Sequence, residues 1–166
     1  MQIILKPIGV VHTPYNDGQV SSSFNGVEGI IEIYPEYADG LKGIDGFSHI
    51  IILAYLHKIK EENKKIFIIS HRRFLRFGFK LDELPRTGVF ASDSPVRPNP
   101  IALTIVRLIR RDGNLLYVSG LDLFDGTPVL DIKPYTPSRR IENISLPSWY
   151  EEFYNKVAHR IGVKEL

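Results

Sequence analysis

The sequence predicts a mainly β protein, with a small single-domain β-barrel-like fold, one short helix and a C-terminal helix. Short runs rich in β-branched or aromatic residues recur along the chain. Turn signals such as Asn25-Gly26 and Asp45-Gly46 separate several of these runs. Few segments show helical periodicity, and closely spaced strands with few helices are typical of a barrel or a sandwich, not of a doubly wound sheet.

Each predicted element follows from a local pattern. A short helix is expected over Pro35–Leu41, and a second helix is expected from Ser148, where Ser-Trp-Tyr-Glu matches a capping box and apolar residues recur at helical spacing. We expect a barrel domain over residues 1–140 and a helical appendage over residues 141–166. The predicted strands are Ile3–Thr13, Val27–Tyr34, Phe47–Leu56, Ile66–His71, Ile101–Ile109 and Leu115–Gly120.

Composition limits the classes of function. The chain has 166 residues, enough for one domain with a substantial core. It has no cysteine, which excludes a thiol nucleophile and a thiolate metal site. The N-terminus does not resemble a signal peptide and no run has the length of a membrane span, so we expect a cytoplasmic protein. The net charge of +2 is too small to indicate nucleic acid by itself.

The stretch from Pro95 to Val106 is the most informative part of the sequence. Three prolines fall within six residues, and each fixes φ, removes a backbone donor and keeps the preceding residue extended. The apolar run Ile101–Val106 follows at once and is interpreted as a buried strand. A stiff loop of this kind holds the guanidinium of Arg97 and the amide of Asn99 in fixed positions, which favours recognition of a polar metabolite.

Three carboxylates lie within residues 122–131. Asp125-Gly126 supplies a turn between two apolar runs, so the segment is expected to double back as a hairpin. Asp131 and Lys133 share a face of an extended backbone and can pair. Asp122 lies at the end of an apolar strand, where a carboxylate costs free energy unless it is partnered or binds a ligand. The alternative interpretation is that Asp125 only makes the turn and Asp131 only pairs.

One histidine, His49, lies in the third predicted strand, and a second, His57, directly follows it. His49 and His57 are roughly 26 Å apart along an extended chain, so they cannot share a metal within this strand. We interpret His49 as a core residue. His57 lies at the strand end beside Lys58, where sites are commonly built, and is a candidate site residue.

The usual glycine-rich nucleotide loops are missing from the sequence.

The segment 71–80 is rich in cations and phenylalanines and contains no acid. Cations contact phosphates while aromatic faces stack on unpaired bases, so the pattern is typical of contact with single-stranded RNA such as a tRNA loop. The alternative is a flap whose phenylalanines anchor in the core while its arginines are solvated. The predicted RNA contacts in this segment are Arg72, Arg73, Arg76 and Lys80.

Five motifs occur in a characteristic order: PIGVVHTPY (7–15), GFSH (46–49), GVFA (88–91), RPNPIA (97–102) and LDLFDGTPVLDIKPY (121–135). Together they resemble the TsaA-like (TrmO) family over about residues 6–137. The resemblance implies a small barrel unlike the Rossmann methyltransferases. It also implies S-adenosyl-L-methionine-dependent methylation of N6 of t6A at tRNA position 37, by a homodimer with the cofactor near the subunit interface. The implied partners are tRNA and a second subunit, with no DNA and no membrane.

The resemblance also implies roles for individual residues. Arg97 would pair with the cofactor's carboxylate, and Asn99 would shape the same pocket. Asp122 or Asp125 would bind ribose hydroxyls or the ammonium group, and Asp122 and His57 are the candidate catalytic residues, as general bases. The implied cofactor-binding set is Arg97, Asn99, His57, Lys58, Leu103, Leu121, Asp122, Leu123, Phe124 and Asp125, while Lys133 joins the RNA contacts and no metal is expected.

The sequence departs from the family pattern in three places. Lys58 stands where the family usually has glutamine, Asp93 stands where it has arginine, and Asp17-Gly18-Gln19 replaces a basic Pro-Arg-Gln of bacterial relatives. The departures concern the acceptor more than the methyl donor. Two other functions stay open: a barrel that binds RNA or a metabolite without catalysis, and a metal-dependent hydrolase that uses Asp122, Asp125 and Asp131.

Overall fold

Eight β-strands and two α-helices form the framework of residues 2–163, the part of the chain that the computed structural model describes. The helices are α1 (Asp17–Ser22) and α2 (Ser148–Ile161). The strands are β1 (Gly9–His12), β2 (Val27–Ile33), β3 (His49–Tyr55), β4 (Ile68–Ser70), β5 (Arg86–Gly88), β6 (Ile101–Asp112), β7 (Leu115–Leu121) and β8 (Pro128–Pro134). Short 3₁₀ helices span Pro35–Leu41, Glu61–Lys65, Arg72–Phe77, Leu81–Glu83, Val89–Ala91 and Pro137–Arg139.

Six strands close into an antiparallel barrel in the order β1-β2-β7-β6-β3-β8, while β4 and β5 pair in a separate two-stranded sheet. Burial alternates along the barrel strands, since one face of each strand points into the core. The predicted mainly β, barrel-like fold is therefore confirmed. The buried core consists of Val11, Ile31, Ile33, Leu41, Ile50, Ile52, Ala54, Val106, Leu116, Val118, Leu121, Leu123 and Val129.

The described residues fall into two compact units. The barrel unit contains residues 2–60 and 99–139, with α1 and all six barrel strands. The second unit contains residues 61–98 and 140–163, with β4, β5 and α2. The expected boundary at residue 140 stays a prediction. No helix in residues 2–163 is long and apolar enough to cross a membrane.

An aromatic cluster holds α2 in the second unit. The Phe153 ring lies 5.0 Å from the Phe74 ring and 5.3 Å from the Phe79 ring, measured between centroids. Both distances fall in the range in which aromatic pairs attract each other. Leu84 and Val157 complete the buried set. The helix therefore packs on the 71–84 segment through apolar contacts.

Several boundaries and turns differ from the sequence predictions. The first strand is only Gly9–His12, and β5 and β8 were not predicted as strands. Gly126 has φ 76°, and Thr127 N–H donates to the Phe124 carbonyl, so the turn at Asp125-Gly126 forms. The predicted hairpin is wrong, because β7 and β8 are not neighbours in the barrel: β8 pairs with β1 and β3 instead.

The helix predictions were correct in two places and incomplete in a third. The Pro35–Leu41 helix is confirmed as a 3₁₀ helix, and α2 begins at Ser148 as expected. The capping box at Ser148 is wrong, because Pro147 is the N-cap and no side chain caps this helix. α1 was missed, although Asn16 and Gln19 form a capping box in which each side chain accepts from the other's backbone N–H.

Candidate functional site

One end of the barrel gathers most of the predicted site residues of the barrel unit. β3 ends where β6 begins, since Tyr55 pairs with Ile101, and β8 begins beside the same end of β3, since Val129 pairs with Ala54. Chain segments that follow or precede these strand ends therefore converge there. The predicted residues at this end are His57, Lys58, Asn99 and Leu121–Asp125.

Lys58 connects three chain segments at this end. Its Nζ donates to both carboxylate oxygens of Asp17, at 2.8 and 2.7 Å, and lies 5.0 Å from the centre of the Phe124 ring. The side chains of Lys58 and Asp17 are 45 and 48 % exposed, so solvent screens the pair and its net contribution to stability is small. The contact fixes the start of α1 beside the turn that precedes β8.

The two aspartates after β7 have different surroundings. Asp125 Oδ1 accepts from the Thr13 N–H at 3.0 Å, so this carboxylate holds the end of β1 as well as making its turn. Asp122 is exposed and has no hydrogen bond or ion pair with any residue between 2 and 163. The free-energy cost expected for a carboxylate at an apolar strand end does not apply to Asp122, because its side chain is exposed to water. Its carboxylate is open to a ligand.

Leu121 and Leu123 belong to the barrel core, and both side chains are almost fully buried. A ligand at the end of the barrel can therefore meet only their backbone groups. His57 lies at the surface after β3, and its backbone N–H donates to the Tyr55 carbonyl. The imidazole is free to contact solvent or a bound molecule.

Arg97 belongs to the second unit, whereas Asn99 is the first residue of the segment 99–139 of the barrel unit. One Arg97 amino group, Nη2, donates to the carbonyls of Val89 and Ser92, both at 2.8 Å. Arg97 Nε is buried and has no partner within residues 2–163. A buried donor without a partner costs free energy, so Arg97 has unused capacity to bind an acceptor.

The outer face of β6 corrects one sequence prediction. Ile101, Leu103 and Ile105 are 36, 64 and 46 % exposed, while Thr104 and Val106 between and beyond them are buried. The interpretation of the 101–106 run as a fully buried strand is wrong for this face, because a barrel strand points alternate side chains outward. Leu103 thus lies on an exposed apolar strip, formed by Ile101, Leu103 and Ile105.

In the cationic segment 71–80 the charged side chains are exposed, whereas the rings of Phe74 and Phe79 are buried. Phe74 and Phe79 are 3 and 5 % exposed, so base stacking by these rings is excluded. The exposed cations are partly engaged: Arg73 donates to the Tyr154 hydroxyl, and Arg76 lies over the Phe77 ring at 4.7 Å. The cations of this segment, all exposed, are Arg72, Arg73, Arg76 and Lys80.

His71 and Tyr150 of the second unit have shifted pKa values. Burial, with a smaller contribution from the Arg73 charge, lowers the pKa of His71. His71 Nε2 lies 2.9 Å from the Thr87 hydroxyl. Burial, followed by the hydrogen bond and charge of Tyr154, raises the pKa of Tyr150 to about 12. Both groups are therefore held uncharged near neutral pH.

Two further pairs settle smaller predictions. Lys133 Nζ lies 2.6 Å from Asp131 Oδ2, so the predicted Asp131–Lys133 pair is confirmed. His49 is exposed and bonds Ser48 Oγ at 3.0 Å, so its interpretation as a core residue is wrong. Within residues 2–163, no three His, Asp or Glu side chains come together to hold a metal ion.

Residues 10–139 match the family described as tRNA-methyltransferase O N-terminal domain. The chain belongs to this family. A probable S-adenosyl-L-methionine-binding protein of Pyrococcus abyssi is 36 % identical over 162 residues, which cover 95 % of this chain and 81 % of that protein. The tRNA (adenine(37)-N6)-methyltransferase of Escherichia coli is 37 % identical over 142 residues, covering 78 % of this chain and 56 % of the enzyme.

The TrmO fold also appears in a solved structure. A crystal structure of TrmO superimposes with a TM-score of 0.68 at 23 % identity, and covers 98 % of this chain and 77 % of that one. This likeness shows the shared fold. The family predicted from the sequence motifs is confirmed by the match over residues 10–139.

The end of the barrel can be compared with S-adenosylmethionine, the cofactor that the sequence motifs imply. It presents an unpaired carboxylate at Asp122, an aromatic ring at Phe124 and a cation at Lys58. Carboxylates suit hydroxyl and ammonium groups, and an aromatic ring suits a cation or an adenine face. The residues present therefore fit S-adenosylmethionine. Sequence reasoning missed Asp17 as part of this end; the capping pattern from Asn16 to Gln19 was the available signal.

Proposed function

We propose that this protein is an S-adenosylmethionine-dependent methyltransferase that acts on N6 of the adenosine at position 37 of tRNA, with t6A as the acceptor. The observation that carries the proposal is the family match over residues 10–139. Two kinds of relative support it: proteins named for binding S-adenosyl-L-methionine and enzymes named tRNA (adenine(37)-N6)-methyltransferase. Fold alone would not assign a function.

The chemistry makes modest demands on the protein. Bound S-adenosylmethionine supplies a methyl group activated by its sulfonium, and transfer to nitrogen is an in-line displacement that requires alignment above all. Asp122 would bind ribose hydroxyls or the ammonium group, and Asp125 would assist from the same turn. Asn99 would shape the pocket, and Arg97 would pair with the carboxylate of the donor. The remaining proposed contacts come from His57, Lys58, Leu103, Phe124 and the backbone of 121–124.

A proton must leave the acceptor nitrogen during methylation. Asp122 and His57 are the proposed general bases, since both side chains are exposed next to strand ends that meet at one end of the barrel. Either group can accept a proton directly or through one water molecule. Asp122 has the simpler surroundings, because no residue between 2 and 163 pairs with it.

The proposed RNA contacts are cations at the surface. Arg72, Arg73, Arg76 and Lys80 would contact phosphates without base stacking, because the neighbouring rings of Phe74 and Phe79 are buried. Lys133 would contribute less, since Asp131 already offsets its charge.

We also propose that the protein works as a homodimer that uses the apolar strip of β6. Ile101, Leu103 and Ile105 stand in a row at alternate positions on the outer face of the barrel. A second copy is the occupant that the family resemblance implies, and an apolar row of this kind gains free energy when it is covered. A Leu103→Glu variant is expected to be monomeric in analytical ultracentrifugation, whereas the wild type is dimeric.

Mass spectrometry of nucleosides from tRNA incubated with the protein and isotopically labelled donor tests the function. We expect the label on N6-methylated t6A. An Asp122→Asn variant should lose most of the transfer and keep its fold. RNA binding without any transfer of label would refute the proposal in favour of a non-catalytic barrel.

A further inference from the structure

A surface cavity of about 700 Å³ lies on the barrel wall, within the barrel unit. Strands β2, β3, β6 and β7 contribute to its lining, together with the loops on either side of α1. None of its residues belongs to the proposed donor site. The polar side chains that line it are Tyr15, Asn25, Glu28, His49, Arg107 and Ser119.

Three of these side chains form one row across three neighbouring strands. His49 of β3 pairs with Arg107 of β6, and Arg107 pairs with Ser119 of β7. Side chains at paired positions are about 5 Å apart at Cβ and share a face of the sheet. Their neighbours Ile50 and Val106 are buried in the core, so the row faces outward. Two nitrogen donors and one hydroxyl thus point to the same side of the barrel wall.

Arg107 is the unsatisfied cation of this row. Its guanidinium group has no hydrogen bond or ion pair with any residue that the structure describes. Other arginines of β6 are engaged: Arg110 stacks on the Tyr117 ring at 3.4 Å, and Arg111 pairs with Asp45 at 3.1 Å. His49 uses Nδ1 for the Ser48 hydroxyl at 3.0 Å, which leaves Nε2 for a ligand. The row therefore offers donors that match an anion with several oxygens.

The opposite side of the cavity has a different character. Glu28 disfavours an anion there, but its carboxylate can accept hydrogen bonds from amino groups of a base. Asn25 can donate and accept. The lining between them is glycine: a Cβ on Gly26 would lie 2.3 Å from the carbonyl carbon of Gly120, and both residues have positive φ. The backbones of Gly26 and Gly120 thus approach each other too closely for a side chain at Gly26.

We infer that this cavity binds one nucleotide of the RNA substrate. Its phosphate would lie on Arg107, His49 and Ser119, and its base would face Asn25 and Glu28. The inference rests on the proposed function, because it takes the RNA as the source of the phosphate. A volume of about 700 Å³ is within the size range of small-ligand pockets. The cavity opens outward, and one of its lining residues, Ile105, also belongs to the apolar strip of β6.

An Arg107→Ala variant tests the site, with Arg139→Ala as the matched control. Arg139 lies in the same unit and likewise has no side-chain partner among residues 2–163. Fluorescence anisotropy would measure the affinity for a labelled anticodon stem-loop over a series of salt concentrations. We expect Arg107→Ala to weaken binding by about tenfold and to lower the slope of log affinity against log salt by roughly one, since one phosphate contact is lost.

The control should change both quantities by much less, and calorimetry should show unchanged S-adenosylmethionine affinity in both variants. Equal weakening by the two variants would overturn the cavity site. If adenosine 5′-monophosphate binds the wild type and loses affinity in Arg107→Ala while RNA affinity is unchanged, the site serves a free nucleotide and the inference is wrong.

Two further outcomes separate this inference from the proposed function. Absence of any RNA binding by the wild type would refute the proposed acceptor, whereas intact RNA binding that ignores Arg107 refutes only the cavity. A His49→Ala variant removes the second donor of the row and is expected to weaken RNA binding in the same direction. It keeps the inference testable if Arg107→Ala fails to fold, and unchanged RNA affinity in His49→Ala would then overturn it.

Discussion

Replacing Arg97 separates a structural role that its contacts show from the cofactor-binding role that we propose for it. Its Nη2 group bonds the carbonyls of Val89 and Ser92, both at 2.8 Å, and its buried Nε has no partner among the described residues. The first contacts hold a loop of the second unit together. The second leaves a donor for the carboxylate of a bound cofactor. Arg97→Ala removes both, so stability and affinity must be measured on the same variant.

The expected magnitudes follow from these contacts. A hydrogen bond to a charged group contributes about 1.5–3 kcal/mol, and here one amino group makes two such bonds on a partly buried residue, so Arg97→Ala should lower the free energy of unfolding by about 2–3 kcal/mol. Loss of a charge-assisted contact to the donor's carboxylate, at about 2 kcal/mol, would weaken cofactor binding roughly 30-fold. Arg97→Lys keeps the charge but not the planar fork, and should show intermediate values of both.

Urea unfolding and titration calorimetry with S-adenosylmethionine measure the two effects. Arg86→Ala is the matched control, because Arg86 is exposed in the same unit and has no side-chain partner within residues 2–163. Wild-type stability in Arg97→Ala would refute the stabilising role of the two carbonyl contacts. Wild-type affinity in a folded Arg97→Ala would refute the assignment of Arg97 to the cofactor.

Three further predictions concern the fold and its ion pairs. A double-mutant cycle of Asp17→Asn and Lys58→Met should give a coupling energy of only about 0.2–1 kcal/mol in urea unfolding, since the pair is half exposed; a coupling above 2 kcal/mol would contradict it. Phe153→Ala should destabilise the protein by about 3–5 kcal/mol through loss of aromatic packing, and an unchanged unfolding midpoint would contradict the role of α2. The lowered pKa of His71 means that its neutral form is favoured in the folded state. Stability should therefore be fully present above about pH 6.5, the unfolded pKa, and should be lost as pH falls through the folded pKa. His71→Gln should flatten that pH dependence, and an unchanged slope would contradict it.

The barrel and the family could be predicted because both depend on local patterns. Strand lengths, turn residues and the ordered motifs are visible in one sequence, and each requires only neighbouring residues. The Asp131–Lys133 pair was equally local. Which strands pair is not local: the Asp125-Gly126 turn suggested a hairpin, but β8 closes the barrel against β1 and β3. Barrel closure is decided by all six strands together.

The predictions for individual side chains were wrong where the outcome depends on which side chains the tertiary structure leaves exposed. An apolar run alone does not tell whether one face of its strand is covered, so the 101–106 run was interpreted as buried although Leu103 lies on the surface. Arginines and phenylalanines in one segment matched an RNA-binding pattern, but the Phe74 ring is buried against Phe153 of α2 and cannot stack on a base. Asp17 was missed because its partner, Lys58, is 41 residues away. Such contacts depend on tertiary structure and leave no periodic signal.

Two departures from the family pattern meet in the structure. Lys58 stands in place of glutamine, and Asp17 lies in the segment that replaces a basic loop; each offsets the charge of the other. Lys58 and Asp17 together therefore add no net charge to the end of the barrel at which we propose the cofactor binds, which is compatible with a cofactor that itself carries both signs. Arg107, on the barrel wall, has no partner for its charge among the described residues, and it lines a cavity with further hydrogen-bond donors. Since a phosphate needs an uncompensated cation, the barrel unit offers the RNA a contact at that cavity more readily than at Lys58.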